Sequence, residues 1–186
     1  LASTGSGKTA AFLIPMINSV LLDSKKRCLV VAPTRELATQ IQQEFKSLTH
    51  GTILREVLIV GGASAWDQIR LLHKNPQFIF ATPGRLIDLF TRNKIDLATF
   101  DNVVLDEVDQ MLDMGFLPDV KRIISALKQP RQSLFFSATM KPKLEEIAMS
   151  LLTEPPMLGK KPALETITCS WLTFMWPTTV SSQTIL

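Results

Sequence analysis

The chain has 186 residues, of which 46% are hydrophobic, enough to bury one sizeable core. Its 20 lysine and arginine residues exceed its 17 aspartate and glutamate residues by three, a net charge too small to indicate a nucleic-acid or membrane partner. No apolar run approaches the roughly 18 residues of a membrane helix. Cys28 and Cys169 form no paired ligand motif, so neither a disulfide framework nor a zinc site is indicated. We therefore expect a cytoplasmic protein without a membrane partner.

Short apolar runs alternate with helical patterns along the chain. The runs have the length and the β-branched or aromatic content of buried strands, and they cover residues 28–32, 57–60, 78–81, 103–105 and 133–136. Helical periodicity follows them and is clearest at residues 10–22, 36–50 and 117–128, with Pro15 expected to kink the first of these helices. The alternation predicts an α/β fold, a doubly wound and mainly parallel sheet with helices on both faces.

Ligands bind to such sheets beyond the carboxyl ends of the strands, and the first turn of this chain has a phosphate-binding pattern. Residues 2–9 read Ala-Ser-Thr-Gly-Ser-Gly-Lys-Thr, with alanine at the position of the usual first glycine, and they lead directly into a helix. Glycines let backbone amides turn around phosphate oxygens, and the helix dipole favours the same anion. The predicted cofactor-binding residues are Thr4, Gly5, Ser6, Gly7, Lys8 and Thr9. The alternative is a glycine and serine turn that only caps the helix.

Within this loop Lys8 would contact the β and γ phosphates, and Thr9 offers a hydroxyl to Mg²⁺, a hard cation that prefers oxygen ligands. A carboxylate pair follows the fourth apolar run, at Asp106 and Glu107. We expect Asp106 to hold the metal ion and Glu107 to orient and deprotonate an attacking water, as in-line phosphoryl transfer requires. The nearby Asp109 either has a functional role or simply caps the next helix.

The motifs resemble, in order, those of DEAD-box ATP-dependent RNA helicases. After the phosphate loop come residues 33–38 (Pro-Thr-Arg-Glu-Leu-Ala), the pair Gly61-Gly62, residues 82–85 (Thr-Pro-Gly-Arg), residues 106–109 (Asp-Glu-Val-Asp) and residues 137–139 (Ser-Ala-Thr). The resemblance covers residues 1 to about 159. It implies an amino-terminal RecA-like P-loop NTPase domain that uses ATP and Mg²⁺, with Lys8, Asp106 and Glu107 as its catalytic residues.

The resemblance also implies sequence-independent contacts to the RNA backbone, because three of these turns join a strand to a helix. The implied RNA-binding residues are Pro33, Thr34, Arg35, Gly62, Thr82, Gly84 and Arg85. Each has a structural alternative: the arginines can pair with carboxylates, the prolines can start helices, and the glycines can turn the chain. The resemblance further implies that Asp109, Ser137 and Thr139 couple the nucleotide site to strand separation, although Ser137 and Thr139 could instead cap a helix.

Several features depart from the family pattern. Val108 stands where the family has alanine, and the added methyl groups could blunt coupling. The phosphate loop starts at residue 2, and the family's adenine-recognition segment and second RecA-like domain are missing from the sequence, so we expect a chain cut short at both ends and inactive alone. We expect residues 1–160 to form the ATP-binding domain. Residues 161–186 form an atypical tail, uncharged from Thr166 onward, that we do not expect to belong to the fold.

The sequence leaves two other functions open. One is a two-domain motor that acts on DNA, which differs from the RNA interpretation in its response to the two nucleic acids. The other is a truncated, non-catalytic module that docks RNA or a partner through the three phosphate-binding turns. The presence of Lys8, Asp106 and Glu107 argues against decay of the parent enzyme.

Overall fold

A five-stranded parallel sheet organises the part of the chain that the structure, a computed structural model, describes, residues 7–128 and 130–139. The strands, in chain order, are β1 (Cys28–Val31), β2 (Glu56–Ile59), β3 (Phe78–Ala81), β4 (Asn102–Leu105) and β5 (Gln132–Phe135). Their order in the sheet is β2-β3-β1-β4-β5, and every neighbouring pair is parallel. The predicted sheet is therefore confirmed, and each strand lies within one residue of its predicted position.

The helices connect successive strands, as the alternating pattern predicts. They are α1 (Lys8–Leu22), α2 (Arg35–Leu48), α3 (Ala65–Leu72), α4 (Pro83–Thr91), α5 (Val108–Asp113) and α6 (Leu117–Ser125). A 3-10 turn, Leu97–Thr99, precedes β4. Helix α1 is continuous through Pro15. Helix α6 ends three residues before its predicted end, because the N–H groups of Ala126 and Leu127 bond to carbonyls three residues back and tighten the last turn.

Alternate residues of each strand face opposite sides of the sheet, and helices cover both sides. On one side the Phe45 ring of α2 lies 4.4 Å from the Phe78 ring and 5.3 Å from the Phe80 ring of β3. On the other side a cluster of buried residues joins the strands to α4, α5 and α6, with Leu86 and Met111 fully buried in it. The burial of both sheet faces explains why the strands appear in the sequence as continuous apolar runs.

The pairing register brings the carboxyl ends of all five strands to one edge. Ile59 pairs with Ala81, Ala81 with Val31, Val31 with Leu105, and Leu105 with Phe135. These are the last residues of their strands, so the turns that follow them lie side by side. Five of the predicted motifs occupy those turns, one after each strand, which is the placement that a doubly wound sheet requires of a ligand site. The phosphate loop precedes α1, and only its last residues are among those described.

Some predictions fall on residues 1–6, 129 and 140–186, which lie outside the described part of the chain. These include Thr4, Gly5 and Ser6 of the phosphate loop, the tail at residues 161–186, the domain boundary at residue 160, and Cys169. Among the described residues, no helix combines the length and the apolar character that crossing a membrane requires. Cys28 is buried and unpaired, and burial raises the pKa of its thiol far above its usual range.

Candidate functional site

Lys8 and Asp106, which come from motifs far apart in sequence, form an ion pair at the carboxyl edge of the sheet. Gly7 precedes α1 in the left-handed conformation, with φ at 74°, and Lys8 is the first residue of the helix. The Lys8 Nζ lies 2.9 Å from the Asp106 Oδ1, and the Asp106 side chain is only 1% exposed. The sheet therefore unites the end of the predicted phosphate loop with the predicted metal-binding carboxylate.

The backbone around Asp106 fixes the direction of its carboxylate. Its N–H donates to the carbonyl of Val31 at 3.0 Å, which continues the pairing of β4 with β1 beyond the strand end. Its Oδ1 also accepts the N–H of Glu107 at 3.0 Å. Because both the main chain and the side chain are held, the Asp106 carboxylate is oriented before any ligand arrives.

Glu107 turns the chain sharply into α5. It is the N-cap residue, with φ 51° and ψ 51°, and its side chain makes no capping hydrogen bond. A residue other than glycine in this left-handed region costs about 1 to 2 kcal/mol, so the surrounding structure must hold it there. The turn leaves the Glu107 carboxylate free of the helix and next to the Lys8 and Asp106 pair.

The electrostatic surroundings of Glu107 favour its acting as a base. Burial raises the pKa of this carboxyl, the neighbouring Asp106 raises it further, Lys8 opposes the shift, and Asp109 adds to it. A carboxylate with a raised pKa binds a proton more strongly than an ordinary glutamate, which suits a general base that operates near neutral pH. The direction of the shift agrees with the role that the sequence predicts for Glu107.

The oxygen donors near Lys8 suit Mg²⁺ only in combination with a ligand. Thr9 supplies a hydroxyl in the first turn of α1, and Asp106 supplies a carboxylate, which is the hard donor set that this ion prefers. Within the described ranges no cluster of three or more histidine, cysteine, aspartate or glutamate side chains could hold a metal alone. The donors therefore fit an ion that completes its coordination with water and nucleotide phosphates.

Asp109 bonds to the turn after β5 and does not cap α5. Its Oδ2 accepts both the N–H and the hydroxyl of Thr139, each at 3.0 Å, and the Ser137 hydroxyl donates to the Thr139 carbonyl at 2.7 Å. Burial alone would raise the pKa of Asp109, but the hydrogen bonds from Thr139 and Ser137 outweigh it and lower the pKa. Glu107, not Asp109, is the N-cap residue of α5. The Asp109 carboxylate makes its side-chain contacts with the turn after β5 and also interacts with the N–H of Gln110 in the first turn of α5.

The turns after β1 and β3 end in helix N-termini that open into one cavity of about 470 Å³. Thr34 is the N-cap of α2, and its Oγ1 accepts the N–H of Leu37 at 3.2 Å. Thr82 is the N-cap of α4, where its side chain makes no capping bond and leaves the first-turn N–H groups uncapped. Both helix dipoles and the uncapped N–H groups of α4 favour an anion at this cavity, and they act against the carboxylate of Glu36, which also lines it.

Arg35 and Gly62, from the predicted RNA-binding set, lie in direct proximity. Gly62 has φ at +73°, and a Cβ at this position would clash with the guanidinium of Arg35. The alternative role for Arg35 was to pair with a carboxylate. No carboxylate in the described ranges forms an ion pair with it. Glycine at position 62 thus allows both the turn and the placement of a cation beside the cavity.

We expect Gly62→Ala to lower the free energy of unfolding by about 1 to 2 kcal/mol, because an alanine side chain is strained at positive φ. Gly61→Ala is the matched control, since a Cβ there meets nothing within 4 Å and its φ is ordinary, and we expect a change within about 0.5 kcal/mol. Urea unfolding of the chain measures both. Equal effects of the two substitutions would contradict the strain argument.

Arg85 holds the turn after β2, with the help of a residue that the sequence analysis did not select. Its Nη1 donates to the Ala63 carbonyl at 3.0 Å and to the Gln68 Oε1 at 3.2 Å, and the Gln68 Nε2 donates to the Val60 carbonyl at 2.9 Å. Gln68 is 4% exposed. The sequence did contain a sign of this role: Gln68 is a polar residue one helical turn before Leu72, on the inward face of α3, and a buried polar side chain requires a hydrogen-bond partner. Arg85 also forms an ion pair with Asp88, with 3.9 Å between its Nε and the Asp88 Oδ2, so the pairing alternative applies to this arginine.

The fold is that of a RecA-like domain, and most of the predicted ligand residues lie on its strand-end turns. The sequence pattern of the DEAD/DEAH box helicase family matches residues 1–147. The chain therefore belongs to the DEAD/DEAH box helicase family.

Relatives in several kingdoms are similar to the chain. It is 43% identical over 161 residues to the ATP-dependent RNA helicase DBP10 of Vanderwaltozyma polyspora, which covers 85% of this chain and 16% of that protein. It is 44% identical over 155 residues to the DEAD-box ATP-dependent RNA helicase CshA of Bacillus licheniformis, which covers 83% of this chain and 32% of that protein. The chain thus spans only a minor part of the length of these curated relatives.

Solved structures share the fold. A DEAD box protein from the hyperthermophile Methanococcus jannaschii superposes with a TM-score of 0.77 at 38% identity, covering 82% of this chain and 42% of that one. The yeast DEAD-box splicing factor Prp28 gives a TM-score of 0.73 at 35% identity, covering 82% of this chain and 38% of that one. Both similarities confirm the predicted RecA-like fold and the family resemblance.

Proposed function

We propose that residues 1–160 form the ATP-binding domain of an ATP-dependent RNA helicase, which binds ATP with Mg²⁺ and a single RNA strand and uses hydrolysis to separate short duplexes. The observation that carries the proposal is the 2.9 Å approach of Lys8 to Asp106 at the sheet edge that also carries the anion-attracting cavity. One edge thus provides groups for phosphoryl transfer and for holding a phosphate backbone. The names of the relatives, which are ATP-dependent RNA helicases, support RNA as the nucleic acid.

On the nucleotide side, different residues of the chain would bind the phosphates, hold the metal ion and accept the proton. The backbone of Thr4, Gly5, Ser6 and Gly7 would surround the phosphates, and Lys8 would leave Asp106 to contact the β and γ phosphates. Thr9 and Asp106 would hold Mg²⁺, which when bound neutralises charge that develops on the phosphate oxygens. Glu107 would orient the attacking water and accept its proton.

On the RNA side, Thr34 and Thr82 would present helix N-termini to successive phosphates of one strand, with Pro33 and Gly84 shaping the two turns. Arg35 is the exposed cation of this surface, and Gly62 permits its position. Arg85 is already bonded to Ala63 and Gln68, which supports a double role in which it fixes the neighbouring turn and adds positive charge. Contacts of this kind carry no base specificity.

Coupling between the two sides would run through Asp109, Ser137 and Thr139. Asp109 is three residues after Asp106, and its carboxylate bonds to the Thr139 hydroxyl. A shift of the turn after β4 would therefore displace the turn after β5, and the reverse. Val108 is fully buried, and its N–H donates to the Phe136 carbonyl at 3.0 Å, which ties the start of α5 to the residue after β5. A second RecA-like domain would supply the remaining groups of both the nucleotide site and the RNA channel.

The test is ATP hydrolysis by a two-domain protein that carries residues 1–160 as its first domain. We expect oligouridine to stimulate hydrolysis and a matching strand of deoxythymidines to stimulate it far less. The Lys8→Ala variant, measured in parallel, identifies hydrolysis from any other source, because it lacks the phosphate anchor. Release of phosphate and separation of a short RNA duplex are the two readouts.

Each alternative function corresponds to a distinct result of this test. Equal stimulation by both nucleic acids would favour a motor that acts on DNA and would contradict the RNA assignment. Binding of RNA without any hydrolysis above the Lys8→Ala level would favour a non-catalytic docking module. Neither of these outcomes has a specific structural observation in its favour.

A further inference from the structure

The turn between α5 and α6 projects two apolar side chains into the cavity described above. Helix α5 ends in a Schellman motif: Gly115 has φ at +83°, its N–H donates to the Leu112 carbonyl at 3.0 Å, and the N–H of Phe116 donates to the Met111 carbonyl at 2.9 Å. Both hydrogen bonds fix the backbone on either side of Gly115. The backbone that carries Met114 and Phe116 is therefore held in place by the chain itself, before any ligand binds.

These two side chains form an apolar wall on the cavity, which we call the Met114–Phe116 wall. Both line it together with Thr34 and Thr82. The Phe116 ring lies 3.9 Å from the position that a Cβ on Gly84 would take, so the ring packs against the first turn of α4. Met114 is 50% exposed, which leaves its flexible thioether available for contact with a ligand.

The cavity therefore combines two kinds of surface. The sides formed by the turns after β1 and β3 offer helix N-termini and the guanidinium groups of Arg35 and Arg85, which suit anions and outnumber the single carboxylate of the lining, that of Glu36. The Met114–Phe116 wall offers only carbon and sulfur, which gain nothing from an inorganic anion but gain from excluding water against an apolar surface. A ligand that matches both surfaces carries anionic groups joined by apolar units, and a sugar-phosphate chain has this character.

We propose that the Met114–Phe116 wall contacts the sugar rings of the bound strand while the helix N-termini hold its phosphates. The inference rests on the proposed function and adds two binding residues to it. Contact with C–H faces of the sugars does not depend on the base, so the wall increases affinity without adding sequence preference.

Methyl NMR on the two-domain protein that carries residues 1–160 as its first domain tests the proposal directly, because that protein has the complete RNA channel. The protein is labelled with ¹³C at the methionine ε-methyl groups and with ¹⁵N at the amides, and it is titrated with a short oligouridine. We expect the Met114 methyl signal, assigned through its loss in Met114→Leu, to shift with the same midpoint as the amides of Thr34 and Thr82. The fully buried Met16 and Met111 are internal controls that should not move.

The outcomes separate this inference from the proposed function. If the amides of Thr34 and Thr82 shift and the Met114 methyl does not, the contact between the Met114–Phe116 wall and the sugars is ruled out, while RNA binding at the helix N-termini is supported. If neither the amides nor the methyl group responds, both are overturned. A Met114 shift that oligoadenosine produces and oligouridine does not would indicate contact with a base and would overturn the sugar assignment.

Affinity measurements give a second, independent readout. We expect Met114→Ala to weaken oligouridine binding about fourfold, the equivalent of one buried methylene group, and Met114→Leu to retain near-normal affinity. Ile53→Ala is the matched control, because Ile53 is 88% exposed and precedes β2 at the opposite edge of the sheet. A loss of affinity in Ile53→Ala equal to that in Met114→Ala would contradict a specific wall.

Discussion

A two-domain protein that carries this chain with Glu107→Gln should bind ATP with unchanged affinity and hydrolyse it about 10² to 10⁴ times more slowly, the usual cost of losing a general base. The rate change corresponds to about 3 to 5 kcal/mol of transition-state stabilisation. Glutamine keeps the shape of the side chain but cannot accept the proton. Because the Glu107 side chain makes no capping bond, we expect the substitution to leave α5 intact.

Single-turnover hydrolysis and nucleotide binding measured on the same preparation separate chemistry from affinity. Glu44→Gln, a glutamate in the middle of α2, is the matched control and should hydrolyse ATP at the wild-type rate. With hydrolysis blocked, ATP and RNA should stabilise each other's binding, since coupling between two sites is reciprocal. Near-normal hydrolysis by the Glu107→Gln variant would rule out this residue as the base.

The centre of the sheet was predictable from the sequence because β3, β1 and β4 are buried on both faces. A strand in that environment is apolar at nearly every position, so its ends are marked where polar residues or glycine resume. This is why the strands that end at Val31, Ala81 and Leu105 lie within one residue of their predicted positions. Helix ends were less predictable, since α6 ends where its hydrogen bonds change from the α to the 3-10 pattern, which the apolar periodicity does not reveal.

The site could be predicted as far as strand ends determine it. Placing Lys8 and Asp106 at one sheet edge follows from the fold class, but their direct pairing depends on side-chain positions that the sequence does not encode locally. The bond between Asp109 and Thr139 joins residues thirty positions apart, and it required the register of β4 with β5. Sequence patterns describe neighbours along the chain, whereas these contacts are made across the sheet.

The cavity is where the sequence analysis missed the most functional residues. Its threonines and Arg35 were recognisable from the motif resemblance, but Met114 was not, and neither was Gln68, which bonds to the lining residue Arg85. Gln68 acts through Arg85 and the Val60 carbonyl, so its role appears only when three turns are seen together. Met114 belongs to no phosphate-binding pattern and reaches the cavity because Gly115 reverses the chain after α5.

Lys8→Ala is expected to weaken nucleotide binding by the chain roughly 10- to 100-fold, because charge-assisted hydrogen bonds contribute about 1.5 to 3 kcal/mol each. It should also destabilise the fold. Asp106 is 1% exposed and would lose its ionic partner, and leaving a buried charge unpaired costs about 3 to 5 kcal/mol. Binding of a fluorescent ATP analogue and urea unfolding measure the two effects. Lys46→Ala, which removes an exposed lysine paired with Glu56, should change neither one appreciably.

The double variant Lys8→Ala with Asp106→Asn distinguishes the two roles of Lys8. Asparagine removes the buried charge, so the double variant should recover much of the stability that Lys8→Ala loses. Nucleotide binding should not recover, since the ammonium group that would contact the phosphates is still missing and one metal ligand is weakened as well. If stability and nucleotide binding return together, Lys8 acts only by supporting the fold, and its assignment as the phosphate anchor is wrong.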